Sequence, residues 1–484
     1  MNLKLVLILT YCFFGAFSWS LDDIFEEKFE KINTAFENGK NKFTGWIDSV
    51  QDYVENQENK LADSLEKYID SIEEKQRMIE EKFNSYVETV KETGRKATEP
   101  LTIFDESDKI INPDVSLTAP QIIERNGYVC ETHTVISQGY VLNIHRIPKS
   151  KNGSETSEKT VLLQHGLLET SVDWILNGPG KGLAYVLADA GYDVWMSNIR
   201  GNRYSREHKN FSTDSKEYWN FSWHDVALND MPEIIDYIMQ LKGSNTKIVY
   251  MGHSMGTTIL FAMLTLRPEY NNILKAGYAL APVAFCKDVK TPIKSLSSMA
   301  GGLAYIDSIS GSYEFVPKNS ALGSLTSACN VDVLDTYVCR NVIFYICGYN
   351  EKQFNKTLLP VFLSHLGTGT PWKTIVHFSQ LVTSGKFQQF DYDSADNMIH
   401  YGSLYPPEYD LSKITLPISL FWSRNDLLSS EEDVMLLRSK LRTKTRSYMV
   451  PDQKFNHIDY IWAIDVKELL NDEILEYLHI EFGH

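Results

Sequence analysis

The chain predicts an α/β architecture, a mostly parallel sheet with helices on both faces, and three observations carry that expectation. Short β-branched and aromatic runs alternate with helical stretches from about residue 140 onward, as in successive strand–helix–strand units. One run, Lys247-Ile-Val-Tyr-Met251, breaks at Gly252-His-Ser-Met-Gly256 and resumes as an apolar helical pattern, so a strand turns sharply into a helix. Later strand-like runs end in polar turns that each carry a reactive side chain, which is where an open parallel sheet places its chemistry.

In chain order the strands are expected at Tyr140 to Ile147, Thr160 to Gln164, Tyr192 to Met196, Lys247 to Met251, Ala276 to Ala281, Pro417 to Trp422 and Arg446 to Val450. Between Ala284 and about Tyr409 the alternation stops. An interruption of that length, rich in Phe, Tyr, Ser and Gly, far exceeds an ordinary connection and signals a functional insertion such as a lid.

The Gly-x-Ser-x-Gly turn is the expected nucleophile elbow. A serine hydroxyl is a poor nucleophile, so it must be held on a tight turn where a histidine can take its proton and the next backbone N–H faces the reacting carbonyl. Five letters alone are a weak signal; the strand before Ser254 and the helix pattern after it are the context the motif needs. In an α/β-hydrolase the acid and then the histidine follow, each just past a core strand. Asp426 stands after Leu416-Pro-Ile-Ser-Leu-Phe-Trp422, and His457 in a loop after Tyr448-Met-Val450. Upstream, Thr160-Val-Leu-Leu-Gln164 runs into His165-Gly166-Leu167-Leu168, the expected place for the second oxyanion donor. The backbone N–H groups of Leu167 and Met255 are thus the candidate oxyanion hole, while His165 and His253 are read as structural.

These stretches, together with Asn425-Asp-Leu-Leu428, Asn456-His-Ile-Asp-Tyr-Ile-Trp462 and Asn198-Ile-Arg-Gly-Asn202, resemble the acid lipases, the group that contains gastric and lysosomal acid lipase. The likeness runs from about Asn112 to the C-terminus. It implies an α/β-hydrolase fold over 101–484 with a cap inserted at about 285–409, an acyl-enzyme mechanism without cofactor, and lipid esters such as triacylglycerols or cholesteryl esters as substrates. Phe344, Tyr345, Trp372 and Phe378 of the cap then either line an acyl channel or pack its core. Met255 departs from the family pattern, which has glutamine there, but the donor at that position is the backbone. Cys329 and Cys339, ten apart, are read as a disulfide pair, in agreement with the resemblance. Cys347 is read as a buried thiol, and Cys130 and Cys286 as free. The alternative from another class is a catalytically silent lipase-fold protein that carries or stores lipid.

Residues 21–100 have no counterpart in the family pattern. They hold 20 acidic and 12 basic side chains, half of the chain's net charge of −16. Phe25, Phe29, Ile32 and Phe36, then Leu61, Leu65, Tyr68, Ile72, Ile79, Phe83 and Val90, form an amphipathic, heptad-like seam. A self-packed helical extension, a solvated spacer, and pairing with a second copy or another protein all fit it; an acidic polar face suits a lipid surface poorly. Ahead of it, Lys4 and the apolar run from Leu5 to Phe17 read as a signal peptide ending near Ser20, too short for a membrane span. Sequons at Asn152, Asn210, Asn220 and Asn355 fit the secretory route. A secreted or lysosomal protein without a transmembrane anchor is therefore expected. The acidic balance, 63 acidic against 47 basic residues, argues against nucleic acid as a partner, and without CxxC or HExxH spacing a metal site is not indicated.

Overall fold

The computed structural model describes residues 112–153, 156–291, 294, 313–315, 343–366 and 369–483. The expected signal peptide, the extension at 21–100 and the Cys329–Cys339 pair lie outside the described residues.

Among the described residues nine strands form one sheet: β1 Glu131–Ser137, β2 Tyr140–Ile147, β3 Thr160–Gln164, β4 Asp193–Met196, β5 Glu207–His208, β6 Ile248–His253, β7 Leu274–Leu280, β8 Ile418–Trp422 and β9 Thr445–Met449. The order is β1-β2-β4-β3-β6-β7-β8-β9, with β5 paired to β2. The β1–β2, β2–β4 and β2–β5 pairs are antiparallel, and every pair from β4 to β9 is parallel. Strands β1 and β5 extend the sheet beyond the expected set. The β1–β2 hairpin turns through Gln138 and Gly139, both at positive φ (50° and 94°), the geometry that matches the twist of the flanking strands.

Each central strand is buried on both faces, so its alternation shows only in which core it feeds. Val161 and Leu163 of β3 enter one hydrophobic cluster with Val249 and Met251 of β6, while Leu162, Ile248 and Tyr250 enter the other. Helices cover the two sides accordingly. Helices α1 (Ala119–Arg125), α2 (Leu183–Asp189) and α9 (Asp472–Phe482) pack on the first face; α3 (Met231–Lys242), α4 (Met255–Leu266) and α8 (Glu431–Lys440) pack on the second. Helix α4 is apolar all round and buried from Met255 to Thr265, as befits a helix enclosed by its own fold.

The insertion contributes α5 (Leu359–His365), α6 (Trp372–Ser384) and α7 (Ser394–Tyr401). Its described part is not a detached body. Phe362 of α5 lies 4.0 Å, ring centre to ring centre, from Trp462 on the first face, and Leu381 of α6 joins Phe387 and Tyr409 in the core of the second. Phe344 is likewise a core residue, packed edge-on against Phe354 and Tyr349, and Trp372 packs edge-on against Phe315. Phe378 is partly buried and lies 5.8 Å from Trp223. Core packing therefore accounts for Phe344, Trp372 and Phe378; Tyr345 is half-buried.

Candidate active site

The chain leaves β3 toward β4 on one side and returns to β6 on the other, so the strand order reverses between β3 and β6. Ligand sites in open parallel sheets form outside the carboxyl ends of strands at such a reversal. Gln164 pairs with Gly252 there, and the next residues on the two strands lead to Leu167 and Ser254.

Ser254 joins β6 to α4 with φ 51° and ψ −118°, a conformation an L-residue adopts only under constraint. The flanking glycines are required by close approach, since neither has a positive φ. A Cβ on Gly252 would lie 2.5 Å from the Gly256 carbonyl carbon, and one on Gly256 would strike the carbonyl of Gln164 in β3. The Ser254 N–H donates to Leu280 O at 3.0 Å, which anchors the turn to β7.

His457 Nε2 lies 2.8 Å from Ser254 Oγ, and its Nδ1 lies 2.9 Å from each carboxylate oxygen of Asp426. A carboxylate only accepts, so Nδ1 carries the proton and Nε2 is left to accept the serine hydroxyl. Asp426 is itself fixed: its Oδ1 takes the N–H groups of Leu428 at 2.9 Å and Ser429 at 2.7 Å. The acid and the histidine are buried, and Ser254 is half-buried.

The segment from the insertion that precedes α5 stitches these two loops together. Cys347 O accepts the N–H of His457 at 3.2 Å and of Leu427 at 3.4 Å. Gly348 O accepts the Asn456 amide at 2.8 Å, and Tyr349 O accepts the Asn425 amide at 3.0 Å. Nothing in the sequence pattern marks this bracket, because its partners stand about 80 to 110 residues apart along the chain.

Met255, the first residue of α4, has an N–H without an acceptor in its own helix, beside Ser254. Across from it, the turn holding Leu167 is closed by Glu169, whose Oε2 accepts the Gly166 N–H at 2.5 Å. His165 lies behind that turn. Its Nδ1 donates to Gly166 O at 2.8 Å, its Nε2 accepts Ile199 N–H at 3.3 Å and an Asn202 amide N–H at 3.2 Å, and burial pushes its pKa down to about 4. The Asn198-to-Asn202 stretch thus serves as scaffold, with Asn198 Oδ1 accepting from Ser171 and Asn202.

The three described cysteines are free thiols. Burial raises the pKa of each, that of Cys130 to about 12, so none is a ready nucleophile. Asn152, Asn210 and Asn220 are exposed, and Asn355 is half-buried. No group of three His, Cys, Asp or Glu side chains among the described residues is arranged to hold a metal ion.

Two family models match the chain: the partial alpha/beta-hydrolase lipase region over residues 119–178 and the alpha/beta hydrolase fold over 159–289. Gastric triacylglycerol lipase of Rattus norvegicus is 39% identical over 371 residues, covering 75% of this chain and 92% of its own. Lipase 1 of Drosophila melanogaster is 37% identical, covering 76% and 81%. Lysosomal acid lipase/cholesteryl ester hydrolase of Homo sapiens is 34% identical, covering 75% and 91%. With identities of this size over most of both chains, the protein belongs to the acid lipase family of α/β-hydrolases.

Proposed function

We propose that this protein hydrolyses carboxylic ester bonds of lipids through an acyl-enzyme on Ser254. The carrying observation is the unbroken hydrogen-bonded line from Ser254 Oγ through His457 to Asp426. As Oγ attacks the ester carbonyl, His457 Nε2 takes the hydroxyl proton and Asp426 stabilises the imidazolium that results. The carbonyl oxygen gathers negative charge beside the Leu167 and Met255 N–H groups. Collapse breaks the bond to the alcohol, which leaves with the proton from Nε2. Water then adds to the acyl-enzyme by the same route, releasing the fatty acid and restoring the serine.

The names of the relatives, triacylglycerol lipase and cholesteryl ester hydrolase, support those two ester classes as substrates. A secreted or lysosomal destination is supported by the leader-like run ahead of residue 21 and by the names of the gastric and lysosomal relatives; none of the described helices is long and apolar enough to cross a membrane. The test is a panel of esters of increasing chain length, including triacylglycerol and cholesteryl ester, across acid and neutral pH. Ser254→Ala is expected to fold and to lower turnover by about 10⁴-fold or more. Retained turnover in that variant refutes the role of Ser254, and an intact protein inert on every ester returns the reading to a silent lipid carrier.

A further inference from the structure

A buried ion pair that the mechanism above leaves idle lies behind its machinery. Glu169 and His253 are 7% and 0% exposed. His253 Nδ1 is 3.0 Å from Glu169 Oε1 and 3.1 Å from Oε2, and His253 Nε2 is 2.9 Å from the carbonyl oxygen of His457. The same Glu169 carboxylate closes the turn containing Leu167 and Leu168, the latter at φ 64°, by accepting the Gly166 N–H. His253 is the last residue of β6, next to Ser254. One ion pair therefore touches the turn with the Leu167 donor, the elbow with the nucleophile and the loop with the base.

Both partners of the His253 ring are acceptors, so both of its nitrogens must carry hydrogen. The proton rests on Nδ1 because Glu169 already accepts the Gly166 N–H and is satisfied as a carboxylate. Burial by itself would discharge His253, but the charge and hydrogen bond of Glu169, the His457 carbonyl and the charge of Asp426 hold it above its ordinary value. Glu169 is held below its own value against burial, chiefly by His253. The remaining titratable neighbours agree with this arrangement. Asp173 is pushed far up by burial and by Glu169, and His165 is pushed down by burial, so neither adds a competing charge. The rings of His457 and Tyr460 lie 5.1 and 6.0 Å from His253.

We propose that Glu169 and His253 are positioning residues for ester hydrolysis, holding the Leu167 turn, the elbow and the His457 backbone in one fixed relation. The inference rests on the hydrolase reading above. Beside the ionised Glu169, a neutral His253 has one ring N–H and must release either Glu169 or the His457 carbonyl. Either release frees one of the groups that must meet at the acyl carbon, and misplacement by about 1 Å there costs on the order of 100-fold in rate.

The test compares Glu169→Gln, His253→Gln and the double variant on a soluble short-chain ester, with Ser254→Ala alongside. Each single substitution is expected to lower kcat roughly 10- to 100-fold with KM within about twofold, since the loss falls on the transition state. The double variant should be no slower than the worse single one, because both substitutions remove the same pair. In the native protein, nitrogen-15 NMR with labelled histidine should show His253, assigned through its backbone connectivity to Gly252 and Ser254, with both ring N–H groups at pH 7. Native-like kcat in Glu169→Gln, losses that multiply in the double variant, or a neutral His253 ring in the native protein would each overturn the proposal. The NMR readout decides it even if the variants fail to fold. Turnover surviving in Ser254→Ala would instead overturn the hydrolase reading, so the two failures are separable.

Discussion

Two residues beyond His457, the carboxyl of Asp459 accepts the Asn456 N–H and an Asn350 amide N–H, both at 2.8 Å. Burial, with the negative charge of Asp452 and Asp426, pushes its pKa up to about 7 against those hydrogen bonds. The folded protein therefore holds a proton that the unfolded chain releases near its ordinary value of 3.8. The stability linked to that proton is full below 3.8 and is lost as pH rises toward 7, by roughly 4 kcal/mol at most. The contribution of this one carboxyl, beside the proposed base, is thus favoured by acid. Asp459→Asn mimics the protonated form and keeps an oxygen for both donors. Its melting temperature should match the native one near pH 4 and exceed it near pH 7.5, which thermal melts across that range will check; identical profiles would disprove the assignment.

At the scale of elements, the strands and α4 aim Ser254, but the acid and base loops are braced from the insertion. Gly348 makes that brace possible: its φ is 114°, and a Cβ there would collide with the Asn425 carbonyl. Gly348→Ala carries both the strain of a left-handed conformation, on the order of 1–3 kcal/mol, and a displacement of the turn that holds Asp426. We expect a lower melting temperature and a fall in kcat on soluble ester. A variant matching the native protein in both would mean that the Asp426 and His457 loops hold themselves in place.

For the whole molecule, every residue of the proposed machinery stands between Leu167 and His457, far along the chain from residues 21–100. The segment 21–100, with its own charge balance and apolar seam, is therefore proposed as a separate unit. A chain keeping its leader but beginning near Leu101 should hydrolyse a short soluble ester at close to the native rate. Its light scattering should show a smaller particle if the seam pairs two copies. Lost soluble-ester turnover in a folded, shortened protein would show that the segment supports the hydrolase.

What the sequence determined by itself was local or ordered along the chain. Period, strand length and the glycine turn identified the central strands and the elbow, because those signals lie within a few residues of one another. The succession Ser254, Asp426, His457 was legible because the fold dictates that order after the elbow. The strand bounds differ by one or two residues, as at β7, where Leu274 and not Ala276 begins the pairing. Contact across sequence distance was decided only by the tertiary structure. Asp426 and His457 stand 31 residues apart, yet the Cys347 carbonyl, 110 residues before the histidine, accepts the N–H of His457 and that of Leu427, the residue after Asp426. His253 has the sequence signature of a structural histidine, and Glu169 has none beyond a carboxylate three residues after a turn glycine. Their pairing spans 84 residues, and the protonation it imposes depends on which acceptors surround a ring that no water reaches. A linear pattern records which residue types are present; burial and the partners at 3 Å decide what charge each one carries.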